Sequence, residues 1–103
     1  MATTGIIDKH PDDISRIEID WTDWLLAQPG IAISASVWEN ATPGGGDITL
    51  SGDALTDTNR RTSVLLTGGT DKGVEYIENE VAFSDGSLKT YTVRVNISDN
   101  IPA

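Results

Sequence analysis

Residues 74–97 read VEYIENEVAFSDGSLKTYTVRVNI and carry the clearest structural signal in the chain. In the second half of this stretch, every other residue is apolar: Tyr91, Val93, Val95 and Ile97. A period of two is typical of a β-strand with one buried face. The Asp85-Gly86 pair between the two halves suits the tight turn of a β-hairpin. We therefore predict two antiparallel strands, over residues 74–83 and 88–97.

The first half of the hairpin places a polar residue on its apolar face. The same period aligns Ile77, Val81 and Phe83, and it puts Asn79 among them. A buried amide needs hydrogen-bonded partners, so we predict that Asn79 has them in the core. Tyr76, at the head of this strand, is placed where a tyrosine corner would bond back to the preceding loop, and an ordinary strand tyrosine is the alternative.

Shorter segments elsewhere also show strand-like patterns: 14–21, 31–38, 48–50 and 62–67. In the second of them, one face carries Ile31, Ile33, Ala35 and Val37. Trp38 is then expected either on the other face or turned inward at a β-bulge. Between the first two segments, Thr22–Ala27 predicts a short helical turn with Thr22 as its N-cap. Polar or glycine-rich segments predict loops and turns: 42–47, 53–59 and 68–73.

About seven short strands with glycine-rich turns and no long helix predict an all-β protein. An immunoglobulin-like β-sandwich is the preferred architecture, and a jelly roll is the alternative. The predicted domain spans residues 14–98. Residues 1–13 are predicted to form an N-terminal arm that joins the fold only near Ile14, and residues 99–103 a C-terminal tail.

Composition excludes several classes of function. The 103 residues suffice for one small domain and carry a net charge of −9, which argues against nucleic acid and anionic membranes as partners. No stretch approaches the roughly twenty apolar residues of a membrane helix, and no signal-peptide pattern begins the chain. With no cysteine and one histidine, the chain cannot build a thiolate nucleophile, a cysteine zinc site or a multi-histidine metal site.

The remaining polar residues predict no enzyme. His10 accompanies no recognisable nucleophile motif, and the carboxylate pairs Asp12/Asp13 and Asp20/Asp23 flank polar loops, where they are expected to be solvated. We predict no catalytic residue, no cofactor and no metal. Calcium bound by acidic turns is the alternative left open, with these candidate ligands: Asp47, Asp53, Asp57, Asp71 and Asp85.

Aromatic residues point instead to a protein interface. Three of the six aromatic residues are tryptophans, and Trp21 and Trp24 lie close together beside Leu25. One tryptophan is expected in the core, and a second covers a sheet edge or anchors a partner, unless all three close the ends of the core. The N-terminal arm could lie over a neighbouring subunit. The interface candidates are His10, Trp21, Trp24 and Leu25.

The opening of the chain also resembles a known group of proteins. Lys9-His10-Pro11-Asp12-Asp13, followed by Asp20-Trp21-Thr22-Asp23-Trp24-Leu25, is similar to the opening of small tailed-bacteriophage virion proteins of immunoglobulin-like fold, the fibre–tail adaptor proteins. Later segments follow that family's order over most of residues 9–96: Ser36-Val37-Trp38, Leu66-Thr67-Gly68-Gly69-Thr70, Tyr76–Val81 and Tyr91–Val95. The chain departs from the family in the Gly44–Gly46 insertion and the extension Met1–Asp8.

This resemblance implies a non-enzymatic structural protein of a tailed-phage virion, an adaptor that joins fibres to the neck or tail. It implies other virion proteins as partners, a homo-oligomeric or multi-copy arrangement, and assembly in the cytoplasm of the bacterial host. A capsid decoration or cement protein is the second interpretation. A carbohydrate-binding immunoglobulin-like module is the third.

Overall fold

The computed structural model describes residues 3–56 and 60–100. Within these ranges the chain forms seven strands and one short helix. They are β1 (Thr3–Lys9), β2 (Ile14–Asp20), α1 (Thr22–Leu26), β3 (Ile33–Asn40), β4 (Thr49–Thr56), β5 (Arg61–Thr67), β6 (Val74–Phe83) and β7 (Leu88–Ile97).

The described strands form two sheets that pack face to face. One sheet has the order β1-β7-β6-β3, and the other has the order β2-β5-β4. β1 runs parallel to β7, while the other paired strands are antiparallel. The sheet β2-β5-β4 packs opposite β3, β6 and β7, which is the division of strands found in an immunoglobulin-like sandwich. The remaining strand, β1, joins the sheet of β3, β6 and β7. The β-sandwich prediction is confirmed, and the eight strands of a jelly roll are not found in the described residues.

The core lies between the inner faces of the two sheets and has two halves. The larger cluster contains Ile17, Ile48, Val64, Leu66, Ile77, Val93, Val95 and Ile97. The smaller cluster contains Ile19, Trp21, Ile33, Val81 and Phe83. Trp38 and Tyr91 are partly buried and pack against both clusters, so they join the two halves into one core.

Asn79 sits at the centre of a buried hydrogen-bonded chain, as its place on an apolar face predicts. It is fully buried, and its Oδ1 accepts a hydrogen bond of 2.7 Å from Thr62 Oγ1. Its Nδ2 donates to Ser36 Oγ at 2.9 Å and to Val37 O at 3.1 Å. Thr62 Oγ1 also accepts from Trp21 Nε1 at 3.1 Å. Because Thr62 is on β5 and Asn79 on β6, this chain links the two sheets.

The N-terminal segment differs from the prediction. Residues 3–9, expected in an arm that joins the fold only near Ile14, instead form β1 at the edge of the four-stranded sheet. Ile7 packs on the core, but the inward positions before and after it hold Gly5 and Lys9, so no apolar period is visible. Lys9 is 1% exposed. Burial lowers the pKa of its ammonium below the ordinary 10.5, and the ammonium donates at 3.0 Å to the carbonyl of the next residue and at 2.7 Å to that of Gly68.

β3 and β4 each contain an irregularity. The pairing of β3 with β6 shifts register between Ile33 and Ala35, and this bulge turns Trp38 inward, which is the second of the two predicted placements. β4 is longer than predicted: it continues to Thr56, into the expected turn 53–59, with its own register shift after Ser51. The end of that turn, and the last residues of the predicted tail, lie outside the described residues.

One local prediction is corrected, and the structure decides between the two alternatives for Tyr76. The helical turn is present, but its N-cap is Trp21 and not Thr22; the carboxylate of Asp20 accepts the backbone N–H of Thr22 at 2.9 Å. Tyr76 hydrogen-bonds through its backbone, donating its N–H to Thr42 Oγ1 at 3.0 Å. Its hydroxyl has no partner among residues 3–56 and 60–100, so Tyr76 is the ordinary strand tyrosine.

Candidate interaction surfaces

The structure brings Trp21, Trp24 and Leu25 together at one end of the sandwich, which we call the α1 end and define as Trp21–Leu26. Trp21 is 8% exposed and meets Phe83 edge to face, with 5.8 Å between the ring centroids. Its indole N–H is already bonded to Thr62, as described above. Trp21 therefore supports this end from within the core and does not present its ring to a partner.

Trp24 and Leu25 lie nearer to the surface. Trp24 is half-buried, with its ring 4.2 Å from that of Phe83, and the ammonium of Lys89 lies 5.7 Å from the Trp24 ring centroid. No residue of the helix is fully buried, and Leu26 is 65% exposed. The sequence-based prediction omitted Leu26. Adjacent residues of a helix point in different directions, so Leu25 and Leu26 cannot both face the core. The Leu-Leu pair in the sequence therefore indicated that one apolar side chain would be exposed.

His10 lies away from the α1 end. His10 lies before the start of β2, and Trp21 lies just after its end. The seven residues of β2 span roughly 23 Å, so the two residues are at opposite ends of this strand. The Nδ1 atom of His10 accepts the backbone N–H of Asp12 at 3.1 Å, and the Asp12 carboxylate lies 3.9 Å from the same atom. The four predicted interface residues therefore do not form one surface.

The acidic turns are occupied by hydrogen bonds that shape the turns themselves. Asp71 Oδ1 accepts the backbone N–H of Asp99 at 2.9 Å, and Asp47 accepts the hydroxyl of Thr70. Asp57 lies outside the described residues. Among the residues that are described, no three His, Asp or Glu side chains are grouped closely enough to hold a metal ion. In the same residues, no helix has the length and apolar character to cross a membrane.

The pKa values of two exposed carboxyl groups, those of Asp20 and Asp85, are lowered by hydrogen bonds within their own turns. Hydrogen bonds from Thr22 are the main cause that lowers the pKa of Asp20 below its ordinary value, with a smaller contribution from Arg61. Hydrogen bonds from Ser87 lower the pKa of Asp85 in the same way. These groups stay ionised more readily than a free carboxyl, which does not suit the role of a general acid.

Glu75 is a buried carboxylate that fixes the loop between β3 and β4. It is almost fully buried, and its Oε1 accepts from Asn40 Nδ2 at 2.7 Å and from the backbone N–H of Ile48 at 2.9 Å. Its Oε2 accepts the backbone N–H of Asp47 at 3.1 Å. A Cβ at Gly46 would collide with the Glu75 carboxylate and the Asn40 amide, so this glycine of the insertion is required for close packing. These contacts give Glu75 a structural role.

A second surface, which the sequence-based prediction missed, lies along β3. We call it the β3 edge and define it as Ser36–Glu39. Val37 is 58% exposed and lies between two depressions. The first is a groove of about 310 Å³ between β3 and β4, with Trp38 and Val64 in its wall. The second, of about 80 Å³, is on the outer face of the sheet and is lined by Val37, Glu39, Glu78 and Glu80.

Comparison with known proteins identifies one family. The model of the family described as podophage GP4 fiber-tail adaptor protein gp77 matches residues 9–96. No curated protein sequence matches the chain.

Solved structures share the fold at low sequence identity. The PKD domain of the KIAA 1837 protein has a TM-score of 0.52 and 14% identity, over 98% of this chain and 86% of that one. The cysteine protease inhibitor EhICP2 from Entamoeba histolytica has a TM-score of 0.52 and 15% identity, over 93% of this chain and 92% of that one. The 2,6-sialyltransferase of Vibrionaceae Photobacterium sp. JT-ISH-224 has a TM-score of 0.50 and 17% identity over 93% of this chain, which spans only 18% of the enzyme chain. These similarities describe the β-sandwich alone.

Proposed function

Because the chain belongs to the podophage GP4 fiber-tail adaptor family, we propose that it joins fibres to the neck or tail of the particle through its α1 end. As a member of this family it is a structural, non-enzymatic adaptor and a component of the virion, and its partners are other virion proteins. The observation that carries this function is the match over residues 9–96, which includes nearly all of the sandwich.

The α1 end has the chemistry of an anchor for a protein partner. Trp24 is held against Phe83, so its ring loses little conformational freedom when a partner covers it. Leu25 and Leu26 add apolar surface beside the Trp24 ring. This apolar surface stands out in a chain whose net charge is −9. Tryptophan is enriched among the few residues that carry most of the binding energy of protein interfaces. We infer that Trp24, Leu25 and Leu26 enter an apolar pocket of another virion protein, with Trp21 supporting them from the core.

The adaptor acts in several copies under this proposal. Attachment points on the neck or tail of a particle follow cyclic symmetry, so one adaptor subunit occupies each equivalent position. The subunits are made and assembled in the cytoplasm of the bacterial host. A strong negative charge keeps such a subunit soluble before it meets its partner.

The test is complementation of a phage in which the gene for this chain is inactivated. Leu26→Asp is expected to leave the purified protein as stable as the wild type, because the side chain is exposed, and to give particles with few or no fibres. The matched control is Ile14→Asp, since Ile14 is 67% exposed at the opposite end of β2. Fibres are counted by electron microscopy and infectivity by plaque assay. A normal number of fibres on Leu26→Asp particles would contradict the assignment of the α1 end.

Copy number tests the adaptor role itself. Quantitative mass spectrometry of purified particles is expected to give a small number of copies that fits the symmetry of a neck or tail. Hundreds of copies per particle would contradict the proposal and favour the capsid decoration protein, because capsid shells have icosahedral symmetry.

A further inference from the structure

The β3 edge has unpaired backbone groups. β3 is the outermost strand of its sheet, and β4, on the other side of the groove, belongs to the other sheet. In an antiparallel pair, residues alternate between facing the partner and facing away. The N–H of Ala41 donates to the carbonyl of Tyr76 on β6 at 2.8 Å. Alternation from this bond turns the N–H and C=O groups of Ser36 and Trp38 away from β6, where another strand could pair with them.

The groove between the sheets combines apolar and polar lining. Its apolar lining residues are Val37, Trp38, Leu50 and Val64, and its polar ones are Ser36, Ser51 and Asp53. The indole N–H of Trp38 is buried and has no hydrogen-bond acceptor among the described residues. Because Trp38 also lines this groove, the environment of its indole N–H reports on whether the groove is occupied.

The outer face beside the same strand is strongly acidic. Glu39 lies directly opposite Glu78 in the pairing of β3 with β6, and Val37 lies opposite Glu80. Like charges at opposed positions of a sheet repel each other. Within residues 3–56 and 60–100, no Lys, Arg or His side chain comes within 4 Å of these three carboxylates. This face therefore favours a positively charged occupant.

We propose that the β3 edge binds an extended segment of another virion protein in which apolar and basic residues alternate. Successive side chains of a strand point to opposite faces of a sheet, so a segment paired with β3 directs every second side chain into the groove and the others over the glutamates. Of the two depressions beside Val37, the groove has apolar side chains to receive apolar residues of the segment, and the other has glutamates to receive its basic residues. The identity of the partner as a virion protein rests on the proposed function, whereas the binding chemistry does not.

The other sheet edges lack this combination. β4 is bulged after Ser51, and its Gly52 has a φ of 60°, so a regular strand cannot pair along it. The edge strands β1 and β2 expose Ile6 and Ile14, but no residue of either strand lines one of the two depressions. β3 is thus the edge with an open backbone, an apolar groove and an acidic face together.

The test uses the full chain and three synthetic peptides with blocked ends. The first alternates lysine and valine over seven residues, the second has the same composition with the four lysines before the three valines, and the third alternates glutamate and valine. Isothermal titration calorimetry is expected to give an affinity for the first peptide about tenfold higher than for the second, because only the first matches both faces. The third peptide is expected not to bind.

Two variants separate this site from general attraction to an acidic protein. Glu80→Lys and Asp12→Lys change the net charge equally, and both side chains are exposed. We expect Glu80→Lys to weaken binding of the alternating peptide about tenfold and Asp12→Lys less than about twofold. Equal losses in the two variants, or equal affinities for the first two peptides, would overturn the proposal.

NMR spectroscopy locates the bound peptide. The indole N–H signal of Trp38, assigned with Trp38→Phe, is expected to shift on binding, and that of Trp21 to stay in place because Thr62 already holds it. Shifts confined to the α1 end would refute binding at β3. If the peptide binds at β3 while Leu26→Asp particles keep their fibres, the α1 assignment fails and this site stands. If the peptide does not bind while those particles lack fibres, the β3 site alone fails.

Discussion

Replacing Thr62 by valine removes the hydroxyl that joins Trp21 to Asn79 in the buried hydrogen-bonded chain between the two sheets. That hydroxyl donates to Asn79 Oδ1 at 2.7 Å and accepts from Trp21 Nε1 at 3.1 Å. Thr62 and Asn79 are fully buried, so no water can replace the lost partner without opening the core. Thr62→Val therefore leaves one donor and one acceptor unpaired in the protein interior.

The expected cost follows from these two groups. An unpaired buried polar group costs about 1–3 kcal/mol, so the variant loses about 3 kcal/mol of the free energy of unfolding. For a domain of this size the loss corresponds to a fall in Tm on the order of 15 °C. The protein should remain folded at room temperature, because typical domains are stable by about 5–15 kcal/mol.

Urea unfolding followed by tryptophan fluorescence measures the change. Thr67→Val, at an exposed position at the end of the same strand, is the matched control and should change the free energy of unfolding by less than about 0.5 kcal/mol. The double variant Thr62→Val with Asn79→Leu should be more stable than the sum of the two single losses predicts, by about 1 kcal/mol or more, because the orphaned acceptor is gone. A loss in Thr62→Val no larger than in the control would refute the inter-sheet chain.

Three further predictions concern the edge strand, the glycine insertion and the exposed carboxylates. Deletion of residues 1–8 removes most of β1 and should lower the free energy of unfolding by about 3 kcal/mol or more, measured by urea unfolding, whereas a free arm would leave it unchanged. Gly46→Ala should destabilise the protein in thermal unfolding by about 2 kcal/mol, because the new methyl group displaces the Glu75 carboxylate; an unchanged Tm would contradict this packing. Because the folded state lowers the pKa values of Asp20 and Asp85, their contribution to stability is present above their ordinary pKa of 3.8 and is lost as the pH falls below it. The Tm of the variant with both residues changed to asparagine should therefore fall less than that of the wild type below about pH 4.

The central hairpin could be predicted from sequence because local signals agree there. The period of two over residues 88–97 and the Asp85-Gly86 turn both indicate the same pairing, and the structure has it. The need for a partner to Asn79 could also be predicted, since burial of an amide on an apolar face demands one. Which residues supply the partners could not, because Thr62 and Ser36 come from strands whose placement depends on the whole fold.

β1 and the buried Lys9 could not be predicted in the same way. β1 pairs in parallel with β7, which is distant in sequence. Parallel strands are not joined by a hairpin turn, so no turn motif in the sequence indicates this pairing. The inward positions of β1 include Gly5, where the Tyr91 hydroxyl fills the space that a side chain would take, and Lys9, whose ammonium reaches the carbonyl of Gly68. A lysine in a polar, proline-containing opening suggests solvent exposure on average. Only the loop that meets it in three dimensions supplies the acceptors that make burial possible.

The bulge in β3 decides which side chains that edge presents. In a regular strand continuing from the buried Ile33, alternation would place Val37 in the core and Trp38 outside, as the apolar period suggested. The extra residue between Ile33 and Ala35 reverses this order, because a shift of one residue moves every following side chain to the other face. Trp38 then packs between the two core clusters, while Val37 and Glu39 become exposed beside the glutamates of β6. The acidic edge proposed to receive a partner strand is therefore a product of one backbone irregularity, and hydrophobic periodicity alone cannot locate it.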